Sequence, residues 1–136
     1  MGKLVAIDYG GKRTGVAETD VLRIIASGLT TVETPKLMEF LEKHFNQEPF
    51  SVLVVGQPFQ KDGSPSDIED EIVKFIARFK KQFPDIPVER VDESYSSKRA
   101  FQSMIDGGLG RKKRRNKALL DEVSATIILQ DYLAGI

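Results

Sequence analysis

The stretch Lys3–Asp20 reads KLVAIDYGGKRTGVAETD. Leu4–Asp8 is a short apolar run rich in branched residues, the pattern of a buried strand. It ends on a carboxylate, Asp8. The Gly10-Gly11 pair allows a tight turn, two cations follow at Lys12 and Arg13, and Thr14–Thr19 reads as a second strand. Ile24–Glu33 predicts a third strand, weakened at Gly28. Strands joined by such short links pair antiparallel. The chain therefore opens as a meander that carries a carboxylate and two cations at one strand tip.

Further along, the period changes. Thr34 is placed to cap a helix, with Pro35 at its first position and Leu37, Phe40, Leu41 and Phe45 near one face. Phe50–Pro58 is a nearly continuous Val/Leu run, as expected of a central strand covered on both sides. Gln60–Asp67 reads as a loop with Asp62-Gly63 turn chemistry. A helix to about Phe83 follows, with Ile68, Ile72, Phe75, Ile76 and Phe79 as its buried stripe. Ile86–Ser94 is the last strand and holds the paired acids Asp92 and Glu93. A short helix over Ser97–Ile105 stops at Gly107-Gly108, and a final helix spans Ala118–Leu133. Hairpins followed by alternating helices and strands imply an α/β fold with a five-stranded mixed sheet flanked by helices. Residues 1–136 are expected to form a single domain.

Composition narrows the chemistry. The chain has 136 residues, 40% of them hydrophobic and 29% charged, and no cysteine. Disulfides, zinc–thiolate sites and thiol catalysis are excluded. No stretch approaches the roughly 18 apolar residues of a membrane span, and no charged-then-apolar leader opens the chain. A cytoplasmic protein without a membrane partner is expected. Net charge is zero, yet Lys98–Lys117 holds eight Lys/Arg against one acid, Asp106. Arg111, Lys112, Lys113, Arg114 and Arg115 form the centre of that basic segment. Such a run suits either a solvated surface loop or the phosphates of a polyanion.

Asp8, the Asp92-Glu93 pair and Asp121 stand at or near element ends, where ligands bind in α/β sheets. Gathered together, they would suit a hard divalent cation such as Mg²⁺ or Mn²⁺. Each acid also has a structural role open to it. Asp8 can accept backbone bonds in a turn, Asp92 and Glu93 can cap the next helix, and Asp121 can face a helix dipole. His44, the only histidine, reads as structural. Asp8-x-Gly10-x-x-x-x-Gly15 also resembles the first phosphate loop of actin- and hexokinase-like ATPases. Those enzymes close two such domains around ATP, and this chain has length for one, which disfavours the ATPase reading.

Together DYGGKRTGVA, VVGQPFQKDGS, VDESYSS and RKKRRNKALLDEVSATIILQDYL resemble the YqgF/RuvX family. That family is described as Holliday junction resolvases and pre-16S ribosomal RNA nucleases. The ordered match runs from Leu4 to Leu133. The resemblance implies an RNase H-like fold and a metal-dependent nuclease acting on precursor 16S rRNA or branched DNA. It implies that Asp8, Glu93 and Asp121 are the catalytic residues and hold one or two Mg²⁺ or Mn²⁺ ions. Lys12, Arg13 and Arg111–Arg115 would meet substrate phosphates. A monomer or weak homodimer is expected. In this sequence Ser94 stands where the family commonly has an arginine after the Asp-Glu pair, which removes one phosphate contact and leaves the carboxylates in place. A non-catalytic nucleic-acid-binding module in ribosome assembly is the alternative.

Overall fold

A computed structural model describes residues 2–94, 96–108 and 116–135. Strands β1 (Lys3–Asp8), β2 (Arg13–Thr19), β3 (Ala26–Glu33), β4 (Phe50–Gln57) and β5 (Val88–Asp92) form one sheet in the order β3-β2-β1-β4-β5. The helices are α1 (Leu37–Gln47), α2 (Glu69–Gln82), α3 (Ser96–Asp106) and α4 (Lys117–Leu133). The hairpin links make β1–β2 and β2–β3 antiparallel, whereas the crossovers through α1 and α2 make β1–β4 and β4–β5 parallel. The sheet is therefore mixed, as the sequence pattern predicts.

The period of two sorts each strand between two cores. Val5, Ile7, Val16, Leu53 and Val55 face one side and pack with Leu41 of α1 and Ile72, Phe75 and Phe79 of α2. Leu4, Ala6, Ala17, Val52, Val54 and Val91 face the other side, against Ala125, Ile128 and Leu129 of α4. Covering on both faces explains the unbroken apolar run of β4. α3 is tied to α4 by Arg99, whose guanidinium donates to both oxygens of the buried Asp131 at 2.8 and 3.1 Å.

Three boundaries differ from the sequence expectation. β3 begins at Ala26, not Ile24, because Asp20 Oδ1 accepts the backbone N–H groups of Ile24 and Ile25 at 2.8 and 2.9 Å and holds them in the preceding turn. Ile24 and Ile25 are thereby left 69% and 63% exposed. Thr34 does not cap α1. It starts a 3₁₀ turn over Thr34–Lys36, and its hydroxyl donates to the Gly10 carbonyl at 2.6 Å. That bond, with the Thr14–Thr34 hydroxyl pair at 3.0 Å, ties the β1–β2 turn to the end of β3. β5 stops at Asp92, so Glu93 lies just beyond the ladder.

α4 lies very close to the sheet at Gly15. A methyl group there would overlap the carbonyl of Asp121. Only glycine leaves room for the helix at this height. Gly15→Ala is expected to cost about 1–3 kcal/mol by overpacking, measured as a lower urea midpoint with an unchanged slope.

Candidate functional site

Parallel pairing puts the C-terminal ends of β1, β4 and β5 along one edge of the sheet. Antiparallel β2 begins at that same edge, with Asp8 opposite Gly15. This is the edge at which α/β sheets place ligands. The alternation that points Leu4 and Ala6 toward α4 also carries Asp8 to that side. Val91 faces α4 as well, and Glu93 shares its parity. Asp121 lies one helical turn before Ala125, which faces the sheet. Asp8, Glu93 and Asp121 are thus brought to one side of the edge by three separate elements.

The parity separates the two neighbouring acids. Asp92 is exposed, and its Oδ1 accepts the Ser94 N–H at 2.8 Å. The backbone N–H of Glu93 donates to Gln57 O at 3.1 Å and continues the β4–β5 alignment by one residue. Its carboxyl oxygen Oε2 is buried without a hydrogen-bond partner among the described residues. A methyl group at Gly56 would overlap that oxygen. Glycine at the end of β4 therefore makes the space in which Glu93 sits.

The carboxylates repel one another. Burial is the main force raising the Asp8 carboxyl above its usual range, and the charge of Asp121 adds to it. Glu93 is raised further, first by burial and then by the charge of Asp8. The closeness of the two carboxyls favours the protonated form of Glu93 and the charged form of Asp8. Arg90 lies nearby on β5, but it is already engaged. Its guanidinium donates to Glu69 Oε1 and Oε2 at 2.7 and 3.0 Å and to the carbonyl oxygens of Val55 and Gly56 at 3.3 and 3.0 Å. Its pull on Glu93 is opposed by the charge of Glu69. Among the described residues, no cation forms an ion pair with Asp8 or Glu93.

Arg13 meets the third acid, its Nε donating to Asp121 Oδ2 at 3.0 Å. Lys12 is exposed at the turn. Arg111, Lys112, Lys113, Arg114 and Arg115 lie outside the described residues. Asn116 caps α4, accepting the Leu119 N–H at 3.2 Å.

A second cluster escaped the sequence reading. Ligand atoms of Glu18, His44 and Glu48 all lie within 4.8 Å of one another. Lys3 already supplies the positive charge there, at 3.2 Å from Glu18 and 2.8 Å from Glu48. His44 Nε2 is 2.8 Å from Glu18 Oε1. These contacts knit β1, β2 and α1 together at the end of the sheet away from Asp8. Glu18 lies far from His44 and Glu48 in sequence, so only its pairing could have signalled the group.

The family described as "RuvX: Holliday junction resolvase" matches residues 2–135. A protein of Christiangramia forsetii named "Putative pre-16S rRNA nuclease" is 58% identical over 133 residues, covering 98% of both chains. One of the same name from Flavobacterium psychrophilum is 54% identical, covering 98% of this chain and 97% of its own. One from Phocaeicola vulgatus is 55% identical, covering 98% and 96%. Among solved structures, T. thermophilus RuvC in complex with a Holliday junction substrate superposes with a TM-score of 0.58 at 17% identity, covering 99% of this chain and 96% of that one. The fold is accordingly RuvC-like, the RNase H-like architecture expected from the sequence.

The raised carboxyl range of Glu93 has a signed consequence. The folded protein holds a proton that the unfolded chain releases near the ordinary glutamate value, so the stability from the protonated form is present below that value and is lost as pH rises. Glu93→Gln removes this dependence. In metal-free buffer the variant should gain stability over wild type progressively as pH rises from about 5 to about 8, read as a widening gap in Tm. A constant gap across that range would contradict the buried-pair electrostatics.

Proposed function

The chain belongs to the family described as "RuvX: Holliday junction resolvase", and from that premise we propose that it is a metal-dependent nuclease whose site is Asp8, Glu93 and Asp121. One observation carries the assignment of residues. Carboxylates from β1, the end of β5 and α4 lie on one side of this edge, where Glu93 Oε2 is buried without a hydrogen-bond partner among the described residues and Asp8 is close enough to raise the Glu93 carboxyl. A hard divalent cation fits that donor set, since all three side chains offer oxygen. Bound there, one or two Mg²⁺ or Mn²⁺ ions would supply Lewis acidity that polarises a phosphodiester and acidifies water.

The chain's own residues define the rest. Partial burial of Asp8 and Glu93 lowers the local dielectric, which strengthens their interaction with a cation. Gly56 leaves Glu93 its space, and Arg90 with Glu69 fixes the β4 end behind it. Arg13 holds the Asp121 carboxylate at 3.0 Å and stands beside the site where a substrate phosphate would enter. Lys12 and the segment Arg111–Arg115, which precedes α4 in sequence, add sequence-independent attraction for a phosphate backbone. This positioning needs no base contact.

The substrate we favour is precursor 16S rRNA, supported by the name shared by the bacterial relatives. Branched DNA is the second substrate, supported by the family description. Action in the cytoplasm belongs to the same proposal. Both substrates should be assayed side by side with Mg²⁺ or Mn²⁺. Asp8→Asn and Asp121→Asn are each expected to lower cleavage by at least about a hundredfold, the order of a lost metal contribution. Mg²⁺ should raise the Tm of wild type and leave that of Glu93→Gln nearly unchanged. Salt-dependent binding of either substrate with no cleavage by wild type would favour the non-catalytic binding module instead.

A further inference from the structure

A surface cleft of about 400 Å³ opens at the end of β5, lined by Phe59, Gln60, Lys61, Gly63, Asp92 and Ser94. Asp92 and Ser94 are the immediate sequence neighbours of Glu93. The other lining residues come from the loop that joins β4 to α2. We propose that this cleft binds one unpaired nucleotide of the substrate strand, its base stacked on Phe59, and prefers a base that carries an exocyclic amino group. The proposal deepens the nuclease reading and rests on it.

The size suits the occupant. About 400 Å³ lies in the range of small-ligand sites. That volume has room for one splayed nucleotide. The lining chemistry also fits. Phe59 is half-buried and supplies an aromatic surface, and stacking on such a surface accepts an unpaired base. Lys61 is exposed and supplies a positive charge for the attached phosphate. Asp92 is acceptor-only when ionised, and its Oδ1 is held by the Ser94 N–H. A carboxylate at the base edge accepts from an amino group such as cytosine N4. Uracil has none to offer.

The loop is built in advance for such a role. Gln60 N–H donates to Ser64 O at 2.8 Å, Gly63 N–H to Gln60 O at 2.9 Å, and Ser66 N–H to Pro58 O at 3.2 Å. Asp62 Oδ1 accepts both the backbone N–H and the hydroxyl of Ser64, at 2.9 and 2.6 Å. Gln60 Nε2 donates to Pro65 O at 3.1 Å, and Phe59 forms a β-bridge with Pro65. Gly63 sits at φ +88°, which closes the turn. A loop fixed by so many internal bonds loses little freedom when a ligand arrives. Its position at the end of β5, one residue in sequence from Glu93, would hold a nucleotide of the strand that reaches the site.

Binding without cleavage tests this directly. The probes are a fluorescent oligocytidylate, an oligouridylate and an abasic ribose-phosphate strand of equal length, titrated by anisotropy in EDTA. Phe59→Ala is expected to weaken oligocytidylate binding by about fivefold or more and leave the abasic strand unchanged, while Phe59→Tyr retains wild-type affinity. Lys61→Ala should weaken all three alike. Wild type should prefer oligocytidylate to oligouridylate, and Asp92→Asn should erase that preference. Unchanged oligocytidylate binding by Phe59→Ala, or an equal loss on the abasic strand, would overturn the stacking site. Equal wild-type affinity for the two base-bearing strands would overturn the amino-group preference. The expected binding pattern in a protein that cleaves neither precursor rRNA nor a DNA junction would keep the cleft and sink the nuclease reading.

Discussion

The close approach of α4 to β2, where Gly15 leaves no side chain beneath the Asp121 carbonyl, sets the height of the helix above the sheet. From that height Ala125, Ile128 and Leu129 reach Leu4, Ala6, Val54 and Val91 and form the second core. The same rigid helix carries Asp121 to the strand edge. Packing and chemistry thus share one constraint: a helix raised by a side chain at position 15 would loosen an apolar core and withdraw a carboxylate together.

Under that helix the protein accepts an electrostatic cost. Asp8 and Glu93 lie partly buried beside each other, and the nearby Arg90 is committed to Glu69 and to the β4 carbonyls. Apolar layers cover both faces of β4 beside this pair. Sites poised for chemistry commonly trade stability in this way. The contrast with the far end of the sheet is instructive. Glu18, His44 and Glu48 gather there around Lys3, which pairs with both carboxylates, and the group fastens β1, β2 and α1.

The preformed loop over Phe59–Pro65 gives the site a second component. Metal-binding carboxylates and phosphate-seeking cations act on any nucleic acid backbone and carry no preference among bases. Selectivity needs surfaces that meet the bases themselves. The cleft at the end of β5 offers an aromatic ring and a carboxylate acceptor held by the Ser94 N–H. It was not singled out from the sequence, because Phe59 reads as one more apolar residue after a strand until Asp92 and Ser94 are seen across from it.

Local pattern alone determined much of this protein. Alternation and apolar runs gave β1, β2, β4 and β5, amphipathic spacing gave the helices, and short turns gave the antiparallel start of the sheet. These features depend on neighbours within a few residues, where backbone geometry repeats. Side-chain competition with the backbone was less visible: Asp20 stops Ile24 and Ile25 from joining β3, and Thr34 turns its hydroxyl to Gly10 instead of capping α1. Family likeness pointed to Asp8, Glu93 and Asp121 as a set. Tertiary structure decided that Glu93 and not Asp92 turns inward, that Arg13 engages Asp121, and that Arg90 is unavailable. The reason is that a strand's parity fixes only that neighbouring residues face opposite sides. Which side is covered by α4, and hence which acid is buried with Asp8, depends on how distant elements pack.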